Sequence, residues 1–89
     1  MLKITYTSQF QRDFKKYKNN EKIKNELRTV INILINEDIL PAKYKAHILK
    51  GDKLGCHECH IAPDVLLIYR ISEGVLILIR MGSHSNLFE

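Results

Sequence analysis

Three kinds of hydrophobic pattern follow one another along the chain. "LKITY" (residues 2–6) alternates over a short run and predicts a first strand. "TSQFQRDFKKYK" (7–18) places Phe10, Phe14 and Tyr17 at i, i+4 and i+7, one face of a helix. Ser8 and Gln11 have the spacing of a capping box at its start. "NN" at 19–20 breaks this helix, and Asn20 is placed to cap the next. In "EKIKNELRTVINILIN" (21–36), Ile23, Leu27, Val30, Ile31 and Leu34 form a wide apolar stripe. So short a link predicts an antiparallel helical hairpin. Its outer faces carry Lys15, Lys16, Lys18, Lys22, Lys24 and Arg28.

The helical period then disappears. Pro41, Gly51 and "GDK" mark a long basic loop that contains His47. Three strand patterns follow, "CHECHI", "DVLLIYRI" and "VLILIRM", separated by turn signals at "AP" (62–63) and "SEG" (72–74). The order β-α-α-β-β-β predicts one α+β domain over residues 1–89, an antiparallel sheet with a two-helix hairpin on one face.

A three-residue "SEG" loop with Gly74 left-handed puts Ile71 opposite Val75 and Leu66 opposite Arg80. "IAP" read the same way puts His60 opposite Asp64. Side chains alternate across a sheet, so Glu58, His60, Asp64, Leu66, Ile68, Arg70, Leu76, Leu78 and Arg80 then share one face. The other face (Val65, Leu67, Tyr69, Ile71, Val75, Ile77, Ile79, Met81) is uniformly apolar and belongs under the helices. A two-residue "EG" turn would slip the pairing by one and carry the arginines into the core face. Leu66, Ile68, Leu76 and Leu78 would otherwise lie in water, so the C-terminal tail is expected to cover part of that patch.

Composition narrows the class. A 45% apolar content without low-complexity runs is globular. No apolar run approaches the ~18 residues of a membrane span, and the first ten residues lack the apolar core of a secretory signal. Two cysteines three positions apart are no disulfide framework, so the cytoplasm is the expected location. Residues 1–53 hold 12 basic and 6 acidic side chains, net +6; residues 54–89 hold 2 and 4, net −2. That asymmetry favours a polyanion or an acidic protein as partner.

Candidate chemistry gathers near the charged sheet face. His60, Asp64 and Arg80 converge near one end, His84 follows Arg80 in a Gly/Ser segment, and His47 lies in the basic loop. Imidazoles transfer protons near neutrality, and a guanidinium holds two phosphate oxygens as charge builds on them. With the 2′-hydroxyl that RNA supplies, these groups suit phosphodiester cleavage, and no step calls for a metal or other cofactor. "CHECH" has the CxxC spacing of a zinc or redox motif. In a strand, however, Cys56 and Cys59 point to opposite faces, and no second cysteine pair completes a zinc site.

"PAKYKAHILKG", "ECHIAPDVLLIYR" and "LIRMGSHSNLF", in this order after two helices, resemble the YafQ-type toxins of the RelE/ParE superfamily over essentially the whole chain. The resemblance implies a RelE-like fold and a ribosome-dependent mRNA endoribonuclease, the toxin of a type II toxin–antitoxin pair. It places functional positions on His47, His60, Asp64, Arg80, His84 and Phe88. Arg80 would meet the developing phosphorane charge and His84 would serve as general acid. His47, His60 or Asp64 would activate the 2′-hydroxyl or position the phosphate. Phe88 would orient a base, with Lys45, Lys50 and Lys53 binding RNA. The implied partners are the ribosome, mRNA and a ribbon-helix-helix antitoxin whose tail wraps the toxin, with operator DNA reached only through that complex. Relatives commonly carry Arg where His57 stands and Trp where Val65 stands. A gyrase-binding toxin of the ParE type and a non-catalytic nucleic-acid-binding module are the competing readings.

Overall fold

Strand β1 (Lys3–Tyr6) runs straight into helix α1 (Ser8–Phe14), and Thr7 makes the joint. Its hydroxyl accepts from the Phe10 amide at 3.0 Å and donates to the Ile79 carbonyl at 2.7 Å. The N-cap is therefore Thr7 and not Ser8, and the Ser8–Gln11 box does not form. A hydroxyl that also binds a neighbouring strand outcompetes a purely local cap. A 3₁₀ turn (Lys15–Tyr17) leads to helix α2 (Glu21–Ile35), whose cap is Asn20, accepting from the Ile23 amide. Ile23, Leu27, Val30 and Leu34 of α2 are buried, as their spacing requires. The structure, a computed structural model, describes residues 1–49 and 55–88, so Lys50 and Lys53 lie outside the described residues.

A second 3₁₀ turn (Ala42–Tyr44) precedes strand β2 (His47–Ile48), a short edge strand that the sequence pattern does not announce. Strands β3 (His57–Ala62), β4 (Val65–Ser72) and β5 (Val75–Gly82) form the antiparallel meander expected. Sheet order is β1-β5-β4-β3-β2. The sheet is mixed rather than wholly antiparallel, because β1 pairs parallel with β5. No local turn joins the first strand to the last, so nothing in the sequence near either one sets their relative direction.

The β4–β5 register also departs from expectation. Glu73 and Gly74 alone form the turn, both at positive φ (50° and 78°), with Ser72 opposite Val75. This is the slip that would carry Arg80 into the core, and a bulge prevents it. Tyr69 faces Leu78, but Ile68 faces Arg80, so Ile79 is the extra residue in β5. Leu76 and Leu78 therefore join Leu67, Tyr69 and Met81 in the core beneath α1 and α2, and Ile79 turns to the opposite face. At the other turn Ala62 pairs with Val65, which places Asp64 in the turn and not opposite His60.

On the opposite face Leu66, Ile68 and Leu87 form a second cluster with Leu49, Cys56 and Ile79. Leu87 belongs to helix α3 (His84–Phe88), whose start is held by Ser83 Oγ accepting from the Asn86 amide. The tail covers Leu66 and Ile68 as anticipated, but as a helical turn. Leu76 and Leu78 need no such cover.

The two-residue turn makes a testable demand. Glu73 sits where Asn is tolerated better, so Glu73→Asn should raise stability by a few tenths of a kcal/mol to about 1 kcal/mol. Gly74→Ala should cost about 1 kcal/mol although its Cβ would meet nothing within 4 Å. Thermal melts should show these as opposite shifts, at roughly 4–8 °C per kcal/mol.

Candidate active site

Two buried carboxylates organise the polar groups. Asp13 lies on α1 at the edge of β5 beyond Leu78, the last β5 residue that β1 pairs. There its Oδ2 accepts from the Met81 amide at 3.0 Å, a bond that β1 no longer supplies. The same carboxylate holds Arg80 in a bidentate pair, Nε to Oδ2 at 2.7 Å and Nη2 to Oδ1 at 3.1 Å. Burial opposes ionisation of Asp13, but the Arg80 hydrogen bond, the Met81 amide and the nearby positive charges outweigh it and lower its pKa. The hydrogen bond to Asp13 raises that of Arg80.

Glu58, on β3, is the second. Only 6% exposed, its Oε1 lies 3.1 Å from His47 Nε2 and 3.9 Å from His60 Nε2. His47 Nδ1 meets the Lys45 carbonyl at 3.0 Å. Both ring nitrogens of His47 thus face acceptors, and each bond forms only when that nitrogen carries a hydrogen. Lys45 adopts a left-handed conformation (φ 49°), which turns its carbonyl and the following strand toward β3. A buried carboxylate shared by two imidazoles is a proton-handling unit, since it fixes ring orientation and stabilises a charge that arrives on either ring.

Pairing across the sheet relates the two carboxylates. Arg80, Ile68, Glu58 and His47 occupy one row over β5, β4, β3 and β2. Gly82, Leu66 and His60 occupy the next row on the same face, beyond the core-facing row of Met81, Leu67 and Cys59. Arg80 and Glu58 are two strand spacings apart, about 10 Å between backbones. His84 opens α3 two residues after Gly82, is exposed, and packs its ring on Phe88 with centroids 5.0 Å apart. Asp64 stands apart, exposed in its turn, and its charge acts on Tyr17 of the helical layer. His47, His60 and Arg80 therefore lie on two neighbouring rows of one face, with His84 two residues beyond Gly82, whereas Asp64 is not drawn into the Glu58 cluster.

Below His60 a cavity of about 480 Å³ opens between the start of α2, the 42–44 turn and β3. Lys22, Lys43 and Lys45 line it with Tyr44 and Glu26. Glu26 is engaged by the Tyr44 hydroxyl at 2.8 Å and by Lys43 at 3.8 Å, which leaves a positive surplus beside His60.

The cysteines fall as expected on opposite faces. Cys59 is fully buried in the main core, where burial and the Glu58 charge push its thiol up to about 12; Cys56 joins the second cluster. Among the described residues no group of three or more His, Cys, Asp or Glu side chains is arranged to hold a metal ion. No described helix is long and apolar enough to cross a membrane.

Asp13 and Glu58 are functional candidates that motif reading passes over. Phe10, Asp13, Phe14 and Tyr17 fall at i, i+3, i+4 and i+7, so an acidic residue occupying a core position of α1 was the available signal. For Glu58 it was a carboxylate alternating with histidines on a strand.

Fold and site together define a small α+β domain with a sheet face that combines a cation, buried carboxylates and imidazoles. The family model for YafQ, a bacterial toxin of type II toxin–antitoxin systems, matches residues 2–89, and the chain belongs to that family. It is 37% identical over 86 residues to the mRNA interferase toxin YafQ of Escherichia coli K12, covering 96% of this chain and 94% of that protein. A metal-bound toxin from Helicobacter pylori has the same fold with a TM-score of 0.90 at 42% identity, covering 99% of this chain and 100% of that one. The toxin in the E. coli DinJ–YafQ complex gives 0.88 at 36% identity, with both chains fully covered. The RelE-like α+β fold implied by the resemblance is the fold found.

The lowered Asp13 pKa fixes the sign of an acid effect. Its stabilisation is present above the ordinary value of 3.8 and is lost as pH falls through the lower folded-state value. Urea unfolding should therefore find Asp13→Asn less stable than the parent by about 2 kcal/mol at neutral pH. That gap should narrow progressively below about pH 4.

Proposed function

We propose that this chain is the toxin of a type II toxin–antitoxin pair and acts as a ribosome-dependent mRNA endoribonuclease. Cleavage proceeds by attack of the 2′-hydroxyl on the adjacent phosphorus, leaving a cyclic phosphate and a 5′-hydroxyl. The observation that carries this reading is the placing of Arg80 and the Glu58–His47–His60 cluster on neighbouring rows of one sheet face, with α3 starting two residues beyond Gly82.

Each group has a task within that frame. The imidazoles on Glu58 take the 2′-hydroxyl proton, and the carboxylate stabilises the imidazolium that results. Arg80 faces the phosphorane charge. His84 protonates the departing 5′-oxygen, and Phe88, already packed on His84, orients a base. Asp64 bears on the phosphate from the β3–β4 turn. Lys45, together with Lys22 and Lys43 of the cavity below His60, draws the RNA backbone toward the cluster, and Lys50 and Lys53, which follow in sequence, share that task. None of these steps requires a metal.

The partner that restrains the activity is a small antitoxin protein, as DinJ partners YafQ in E. coli. A dimeric ribbon-helix-helix protein with an acidic wrapping tail suits the net +6 of residues 1–53, and operator DNA is met only through that complex. A gyrase-binding role would leave the histidine cluster without a task.

His84→Ala should slow mRNA cleavage on translating ribosomes by about two to four orders of magnitude without lowering the melting temperature, since the side chain is exposed. Arg80→Ala should give a loss of similar size. Primer extension on mRNA from expressing cells reads both, and unchanged cutting by either variant rejects the site.

A further inference from the structure

Resting on the role given to Arg80 above, we infer that Asp13 is a positioning residue for the cleavage reaction, a fixed bracket that aims the Arg80 guanidinium at the reacting phosphate. A guanidinium carries five N–H groups in a rigid plane. Asp13 occupies the side edge of that plane, the Nε–H and one hydrogen of Nη2. Three hydrogens are left, both on Nη1 and one on Nη2. They include the outer fork of the group, the edge suited to two phosphate oxygens at once.

The bracket is itself held. Asp13 is buried, and its Oδ2 also receives the Met81 amide, so the carboxylate is tied to the backbone one residue beyond the arginine it orients. Thr7 ties the start of the same helix to β5 through Leu78 and Ile79. Arg80, Met81 and Asp13 therefore move as one body. An arginine at a strand edge would otherwise sample many rotamers and order itself only on meeting substrate. Here the ordering is completed on folding, and the guanidinium meets the phosphorane without reorganising.

A merely structural ion pair would account for the short distances but not for a change in turnover by folded protein. The discriminating experiment measures kcat and KM for mRNA cleavage on translating ribosomes, with melting temperatures. It uses the full chain as parent, Asp13→Asn, Arg80→Ala and the double variant. Asp13→Asn is expected to lower kcat about 10- to 100-fold with KM changed less than about threefold. In the Arg80→Ala background the same change should cost no further activity, because the group it positions is gone. Asp13→Glu keeps the charge and lengthens the arm by one methylene. It covers the case in which the asparagine variant does not fold, and kcat should again fall while the melting temperature stays near that of the parent.

Parental kcat in folded Asp13→Asn or Asp13→Glu overturns the inference. So does an Asp13→Asn loss that multiplies with that of Arg80→Ala, which would show Asp13 acting independently of the arginine. Full activity of Arg80→Ala would instead overturn the assignment of Arg80 itself, and this inference with it.

Discussion

Strand β5 has to bury Leu76 and Leu78 beneath the helices and yet keep a guanidinium out of that core two residues further on. Regular alternation forbids this, because residues i, i+2 and i+4 share a face. The extra residue at Ile79 resolves the conflict: Met81 takes the next core position and Arg80 is set opposite Ile68. A charge left unpaired in the core would cost several kcal/mol, far more than one irregular pair of strand residues. Much else follows from that bulge. It aligns Arg80 with Glu58 across the sheet, brings Gly82 opposite Leu66, and sets where α3 starts.

The two carboxylates solve related problems on either side of the sheet. Past Leu78, β5 has an amide that β1 no longer reaches, and Asp13 fills in for the missing strand while pairing with Arg80. Past β3, the short strand β2 presents His47 to Glu58, which is shielded from water and faces two imidazoles. Each buried carboxylate is thus matched by groups to which the proposed mechanism gives a task.

Sequence reading reached the class of the fold, the two helices with the cap at Asn20 and the three consecutive strands. These rest on local signals: period, turn residues and spacing. It misjudged the register because Gly74 fits a two-residue and a three-residue turn equally well, and parity appeared to favour the longer one. A bulge, which restores parity by other means, leaves no mark in a run such as "VLILIRM". The cap at Thr7 was missed for a related reason, since its second bond goes to a strand 72 residues away.

What the chain determines by itself is therefore whatever neighbouring residues can enforce: helical stripes, strand alternation, a basic first half and the chemical types available for catalysis. Tertiary structure decided the parallel seating of β1, the direction in which Arg80 leaves its strand, and the choice of Asp13 and Glu58 over Asp64 as the carboxylates that hold the arginine and the imidazoles. Those outcomes depend on which backbone edges are left unpaired and which charges are shut away from water, and neither exists until distant segments have packed.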